Sequence, residues 1–111
     1  MIDKRAFTRI SKKALVSFDL IGKGEEVVDE GMARTTDLSI KGLHLELPRS
    51  VSVGDRLRLT LNIDGQMVTL TGQVAWSDTK SEHVEVGVKI NRVPGQYAEI
   101  VERLIRSGPR T

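Results

Sequence analysis

Hydrophobic residues recur at every second position over most of this chain, in runs too short to be anything but strands. Ala14, Val16, Phe18 and Leu20 alternate with Leu15, Ser17 and Asp19, the period of a strand with one buried face, so a first strand is expected from about Ser11 to Leu20. Gly22-Lys23-Gly24 interrupts it. Glu25 to Val28 and Met32 to Leu38 read as short extended pieces on either side of Gly31. Leu43, Leu45 and Leu47 alternate with His44 and Glu46 until Pro48 stops the run. Leu57, Leu59, Leu61 and Ile63 then lead to Asp64-Gly65, a pair suited to the positive φ angles of a type I′ hairpin turn. The return strand carries Val68, Leu70, Gly72, Val74 and Trp76 on one face, and a last strand carries Val84, Val86, Val88 and Ile90.

After Pro94-Gly95 the period changes. Tyr97, Ile100, Val101, Leu104 and Ile105 fall at i, i+3, i+4, i+7 and i+8, one face of a helix that Gly108-Pro109 should end. Arg103 and Arg106 stand near its C-terminal end, where they oppose the dipole. Six or seven short strands with turn signals between them, and no strand–helix–strand rhythm, predict an all-β fold with a C-terminal helix: a six- to seven-stranded antiparallel β-barrel. The expected layout is a single domain, with a mobile basic segment over 1–10, the barrel over 11–91 and the helix over 95–107. The helix stripe needs a cover, and either the barrel or a second copy of the chain would serve.

Composition narrows the chemistry. The chain has 111 residues, a usual size for one domain, which lies at about 100 to 150 residues. It has no cysteine, which removes disulfides, thiolate metal sites and iron–sulfur clusters. The start, Met1-Ile2-Asp3-Lys4-Arg5, has no apolar leader, and no run is long enough to span a membrane, so a cytoplasmic location is expected. The net charge of +2 is too small for a general polyanion binder, but it is unevenly spread. Lys4, Arg5, Arg9, Lys12 and Lys13 crowd the N-terminus, whereas Asp19, Glu25, Glu26, Asp29 and Glu30 follow within a short stretch.

Two motifs remain once the strands are assigned. Arg5-x-x-x-Arg9 precedes the first strand and offers two planar donor forks for phosphates or guanine edges. With 10 arginines in the chain this spacing arises about once by chance, and the plain alternative is a pair of solvated charges. Asp37-x-Ser39-x-x-Gly42 is the more specific half, expected by chance roughly 0.06 times. A carboxylate and a hydroxyl offer acceptors, and a glycine permits close backbone approach. The plain alternative is an Asx or Ser turn opening a strand, with Gly42 at a positive φ.

Taken in this order, the two motifs resemble the signatures of the PilZ domain family, and the strand pattern of the whole chain is similar to it. Gly72-x-Val74-x-Trp76 and Val86-Gly87-Val88 look like that family's later strands, while Ile90 departs from it, since related sequences often place an aromatic residue there. The resemblance implies a split-barrel type of fold and a receptor for cyclic di-GMP. It implies that Arg5, Arg9, Asp37, Ser39 and Gly42 bind the ligand; by their own chemistry Lys4 and Lys41, as phosphate-attracting cations, and Trp76 are further candidates. Binding would order the basic segment against the barrel and signal through a bacterial protein partner. The alternative within the family is a protein–protein interaction module that binds no nucleotide.

The ligand's chemistry suits those residues. Guanine O6 and N7 match an arginine fork, and its N1–H and N2–H donors match a carboxylate. Trp76 reads as core or barrel wall before it reads as a stacking platform. Catalysis is not expected: there is no Gly-x-Ser-x-Gly or phosphate-loop pattern, and only His44 and His83 are present. His44 should face outward from its strand, and neither a metal site nor a cofactor is expected. The cluster Glu25, Glu26, Asp29 and Glu30 reads as a solvated loop. A nucleic-acid polymer is disfavoured because the aromatic residues are scattered. Monomer and homodimer are both compatible with the sequence.

Overall fold

The β-hairpin that alternation predicts is the most regular part of the molecule. In the computed structural model, which describes residues 8–107, β5 (Arg56–Ile63) and β6 (Gln66–Thr79) pair without a break from Arg56 opposite Gln73 to Ile63 opposite Gln66. Asp64 (φ 51°) and Gly65 (φ 87°) both take the left-handed conformation that a type I′ turn demands. The side chain of Lys12 reaches the tip, 2.7 Å from Asp64 Oδ1.

Around this hairpin the sheet closes on itself. Six strands follow one another as β3 (Val27–Leu38), β2 (Leu15–Ile21), β5, β6, β7 (Val84–Ile90) and β4 (Gly42–Leu47), and β4 pairs back onto β3. Every pairing is antiparallel, and closure removes the open edges a flat sheet would leave. A seventh short strand, β1 (Ile10–Ser11), is added to β3, with Ile10 opposite Leu38 and Ser11 opposite Asp37. The inward residues are those that alternation selects: Val16, Leu45, Leu59, Leu61 and Val86 are fully buried. Burial of each such side chain contributes about 1.5–3 kcal/mol.

The first strand is divided where a continuous run from Ser11 to Leu20 is expected. Ile10 faces Leu38 but Leu15 faces Arg34, so the chain gains one residue on β3 between them. Thr35 secures the step. Its buried hydroxyl accepts from the Ala14 amide (2.8 Å) and donates to the Lys12 carbonyl (2.6 Å), so neither backbone group is left unpaired. The opposite correction applies further on, for β3 is one strand of 12 residues where two short pieces are expected. Gly31 does not break it. A Cβ there would come within 3.0 Å of the Phe18 ring, so the missing side chain makes room for a core aromatic on the facing strand.

The helix α1 (Gly95–Ser107) lays Tyr97, Ile100 and Val101 into the barrel's core, with Leu104 and Ile105 packed at its margin. The barrel itself takes the apolar stripe. Gly108-Pro109, the expected stop, lies outside the described residues. No described helix is long and apolar enough to cross a membrane.

Candidate ligand-binding site

Four strands contribute one residue each to a single row across the outside of the barrel. Asp37 on β3 lies opposite His44 on β4, His44 opposite Gly87 on β7, and Gly87 opposite Trp76 on β6. Both outer members reach the surface through a slip in register. Between Thr35 and Asp37, and again between Val74 and Trp76, one strand carries an extra residue. Such a bulge turns the following side chains to the other face. Thr35 and Val74 are buried, whereas Trp76 is 39% exposed. Strict alternation would have put Trp76 inside with Val68, Leu70 and Val74.

The row is held together by polar and aromatic contacts. Arg9 Nη1 donates to Asp37 Oδ1 at 2.6 Å, and His44 Nδ1 lies 3.0 Å from Asp37 Oδ2. The two oxygens of the carboxylate are thus divided between a guanidinium and an imidazole. His44 meets Trp76 edge to face, ring centroids 5.0 Å apart at 78°. The indole lies over Gly87, where a Cβ would fall 2.1 Å from Nε1, so only glycine at that position allows this placement.

The Asp37-x-Ser39-x-x-Gly42 segment forms the adjoining lip. The Ser39 amide and hydroxyl both donate to the Gly42 carbonyl, at 2.9 and 3.1 Å. From beneath, Tyr97 of α1 donates its buried hydroxyl to the Ser39 carbonyl (2.7 Å) and reaches that of Gly42 (3.3 Å). Burial pushes the Tyr97 phenol well above its ordinary range; Arg9 opposes that shift and Asp37 adds to it. Gly42 does not have the positive φ that a simple turn would explain. It is needed for contact: a Cβ would sit 2.6 Å from the Val88 carbonyl oxygen of β7.

Beside the row and the lip lies an open pocket of about 360 Å³. Arg9, Lys41 and Lys89 give its wall three cations, Trp76 and His44 give it aromatic surface, and Ser39 and Gly42 form part of its edge. Asp37 is not on the wall but contacts Arg9 and His44, which are. Of the residues expected from sequence, Arg9, Asp37, Ser39, Lys41, Gly42 and Trp76 therefore meet at one place, while Lys4 and Arg5 lie outside the described residues. Of the segment expected to be mobile, Arg9 is docked on Asp37 and Ile10 pairs with Leu38. Sequence reading missed His44, Gly87, Lys89 and Tyr97 as parts of the site. The acidic stretch expected as a solvated loop is partly paired: Glu25 with Arg56, which holds the Glu25 carboxyl below its usual range, and Asp29 with Arg49 at 2.9 Å.

Residues 3–107 match the family model of the PilZ domain. The chain belongs to the PilZ domain family. Solved structures agree on the fold. The Bacillus subtilis inhibitor of motility MotI/DgrA is similar with a TM-score of 0.70 at 15% identity, over 91% of this chain and 51% of that one. The PilZ domain of YcgR from Escherichia coli, solved with c-di-GMP, is similar with a TM-score of 0.63 at 19% identity, over 90% of this chain and 87% of that one. The PilZ domain of CeSA from a cellulose-synthesising bacterium has a TM-score of 0.62 at 17% identity, over 89% and 95%. This PilZ chain thus spans about half the length of the motility inhibitor it matches. No curated protein matches it by sequence.

Proposed function

We propose that this PilZ domain is a receptor for cyclic di-GMP, and that the ligand occupies the cationic pocket beside the Asp37–His44–Gly87–Trp76 row. The observation that carries the reading is that Arg9, paired with Asp37 28 residues away in sequence, lines one pocket together with Ser39, Gly42 and two further cations, Lys41 and Lys89. A dinucleotide with two phosphates and two guanines calls for both kinds of group. Cations would take the phosphates, and the carboxylate would accept from guanine N1–H and N2–H.

Arg9 and Asp37, one from each half of the signature, neutralise each other. Binding then works by exchange: Arg9 leaves Asp37 for a phosphate or the O6/N7 edge of a guanine, and Asp37 turns to the guanine donors. The pair it gives up is partly exposed, 46% and 24% for the two side chains. An ion pair of that kind contributes about 0–1 kcal/mol, so the exchange costs little against a pair of charge-assisted contacts to the ligand. Arg5, four residues before Arg9, joins from the other end of the motif. The bound ligand joins the N-terminal segment to the lip that Tyr97 supports, and a partner protein reads the changed surface. A PilZ domain solved with c-di-GMP and a motility inhibitor among the similar structures support this direction.

Trp76 is the chain's single tryptophan and stands on the pocket wall, so its fluorescence reports occupancy directly. Cyclic di-GMP should change that emission with a saturating curve at physiological salt, and GTP or a single-stranded oligonucleotide should not. An unchanged emission together with no heat of binding would remove the nucleotide reading and leave the protein–protein module.

A further inference from the structure

Two residues further along β4 from His44, on the same outer face, a second group of side chains converges that the nucleotide reading leaves unused. Glu46 on β4 lies directly opposite Glu85 on β7 in the antiparallel register. Like charges at facing positions repel and weaken a pair of strands. Between them stands His83, at the turn joining β6 and β7, where its carbonyl accepts from the Lys80 amide at 2.8 Å. Its Nε2 lies 3.2 Å from Glu46 Oε2 and 3.4 Å from Glu85 Oε2. A single ring nitrogen cannot donate one proton fully to both.

The spacing suits a shared cation as well as a shared proton. Ligands held tetrahedrally at bonds of about 2.0–2.1 Å stand about 3.3–3.4 Å from one another, and the two nitrogen-to-oxygen distances lie close to that edge length. All three donor atoms lie within 4.8 Å of one another, so the face is completed when the two carboxylate oxygens draw together. The other oxygen of Glu46 is held by Arg34 Nε at 3.3 Å, which orients Oε2 toward His83 as an outer-shell partner does for a metal ligand. Beside the group lies an open cavity of about 410 Å³, reached by Glu46 and His83, which leaves a fourth position for water. One imidazole and two carboxylates select a zinc-like transition ion over magnesium, whose preference is for oxygen donors alone.

We propose that Glu46, His83 and Glu85 form a binding site for one divalent transition-metal ion of the zinc class, tying the β6–β7 turn to β4. The ion replaces a repulsion across the two strands with a bond from each. The site is independent of the nucleotide pocket, whose row it adjoins through His44.

Zinc itself is the probe, added to the nucleotide-free protein and followed by calorimetry and by the imidazole resonances of the chain's two histidines. One zinc per chain should bind, and the His83 resonances should move while those of His44 stay. His83→Ala and the isosteric Glu85→Gln should each weaken binding at least tenfold, since losing even a group that only orients a ligand costs about that much, with the fold unchanged by circular dichroism. Magnesium at the same concentration should move neither histidine. No shift of His83 in excess zinc would overturn the site, as would equal binding by both variants or a shift that follows His44 instead.

Discussion

The two sides of this barrel are built from the same kind of strand and do opposite things. On the side of β2, β5 and the paired half of β6 the ladders run unbroken, Leu15 opposite Asn62 through Ile21 opposite Arg56, and Arg56 opposite Gln73 through Ile63 opposite Gln66. Its outer face is closed by pairs that satisfy one another, Arg58 with Asp19 and Thr60 with Thr69. On the side of β3, β4, β7 and the far half of β6, both outer ladders slip by a residue, and glycines stand where strands or rings come too close for a side chain. The regular side is a wall, whereas the irregular side is where a carboxylate, an imidazole and an indole are turned out together. Regularity pairs the outer face's polar groups with one another; the bulges turn theirs toward the open pocket.

Substitutions on the two sides should therefore differ in size and in kind. The largest effect is expected at Gly42, because the Cβ of alanine would meet backbone that cannot swing aside, the Val88 carbonyl oxygen at 2.6 Å. Gly42→Ala should lower stability by about 3 kcal/mol, at the upper end of the usual cost of overpacking, in a urea titration. On the proposed reading, Asp37→Ala should act on binding and leave the fold intact. It should weaken cyclic di-GMP by about 1–3 kcal/mol, the range for a lost bidentate base contact, with a denaturation midpoint close to the parent's.

Tyr97→Phe probes the support beneath the lip. It removes the donor to the Ser39 carbonyl and should cost about 1–2 kcal/mol, as a buried acceptor is left unpaired. The same residue carries a pH signature. Because its folded-state ionisation is pushed upward, the phenol is neutral in both states below its unfolded value of about 10, and its contribution is fully present there. Above that pH the unfolded chain releases its proton first, so stability falls as pH rises. Melts between neutral pH and pH 11 should decline more steeply for the parent than for Tyr97→Phe; parallel curves would contradict the buried phenol. The smallest effect belongs to the wall, where Thr60→Ala should change stability by no more than about 0.5 kcal/mol and binding not at all.

The same contrast explains what could be read from the amino acids. Leu57 to Ile63, the Asp64-Gly65 turn and the stripe from Tyr97 to Ile105 were all legible, because period and turn chemistry act locally and nothing nearby competes. The bulges were not. One extra residue at Thr36 or Ala75 leaves no mark on composition, yet it decides that Trp76 faces the pocket and not the core. Asp37, Ser39 and Gly42 stood out as a motif, but the reason for Gly42, contact with β7, depends on a strand more than 40 positions away. His44 was legible only as an outward residue of its strand; its link to Asp37 exists because the slip in β3 sets the two opposite each other. Gly31 misled for the same reason, since the Phe18 ring that requires it lies on another strand.

The irregular side is the one proposed to hold the ligand. The most direct test is a calorimetric titration of cyclic di-GMP into three proteins in parallel: the parent, Asp37→Ala on the irregular side and Arg58→Ala on the regular one. The parent and Arg58→Ala should bind with the same affinity, and Asp37→Ala roughly 5- to 150-fold more weakly, in keeping with about 1–3 kcal/mol. Equal affinity in all three, or loss in Arg58→Ala alone, would contradict it.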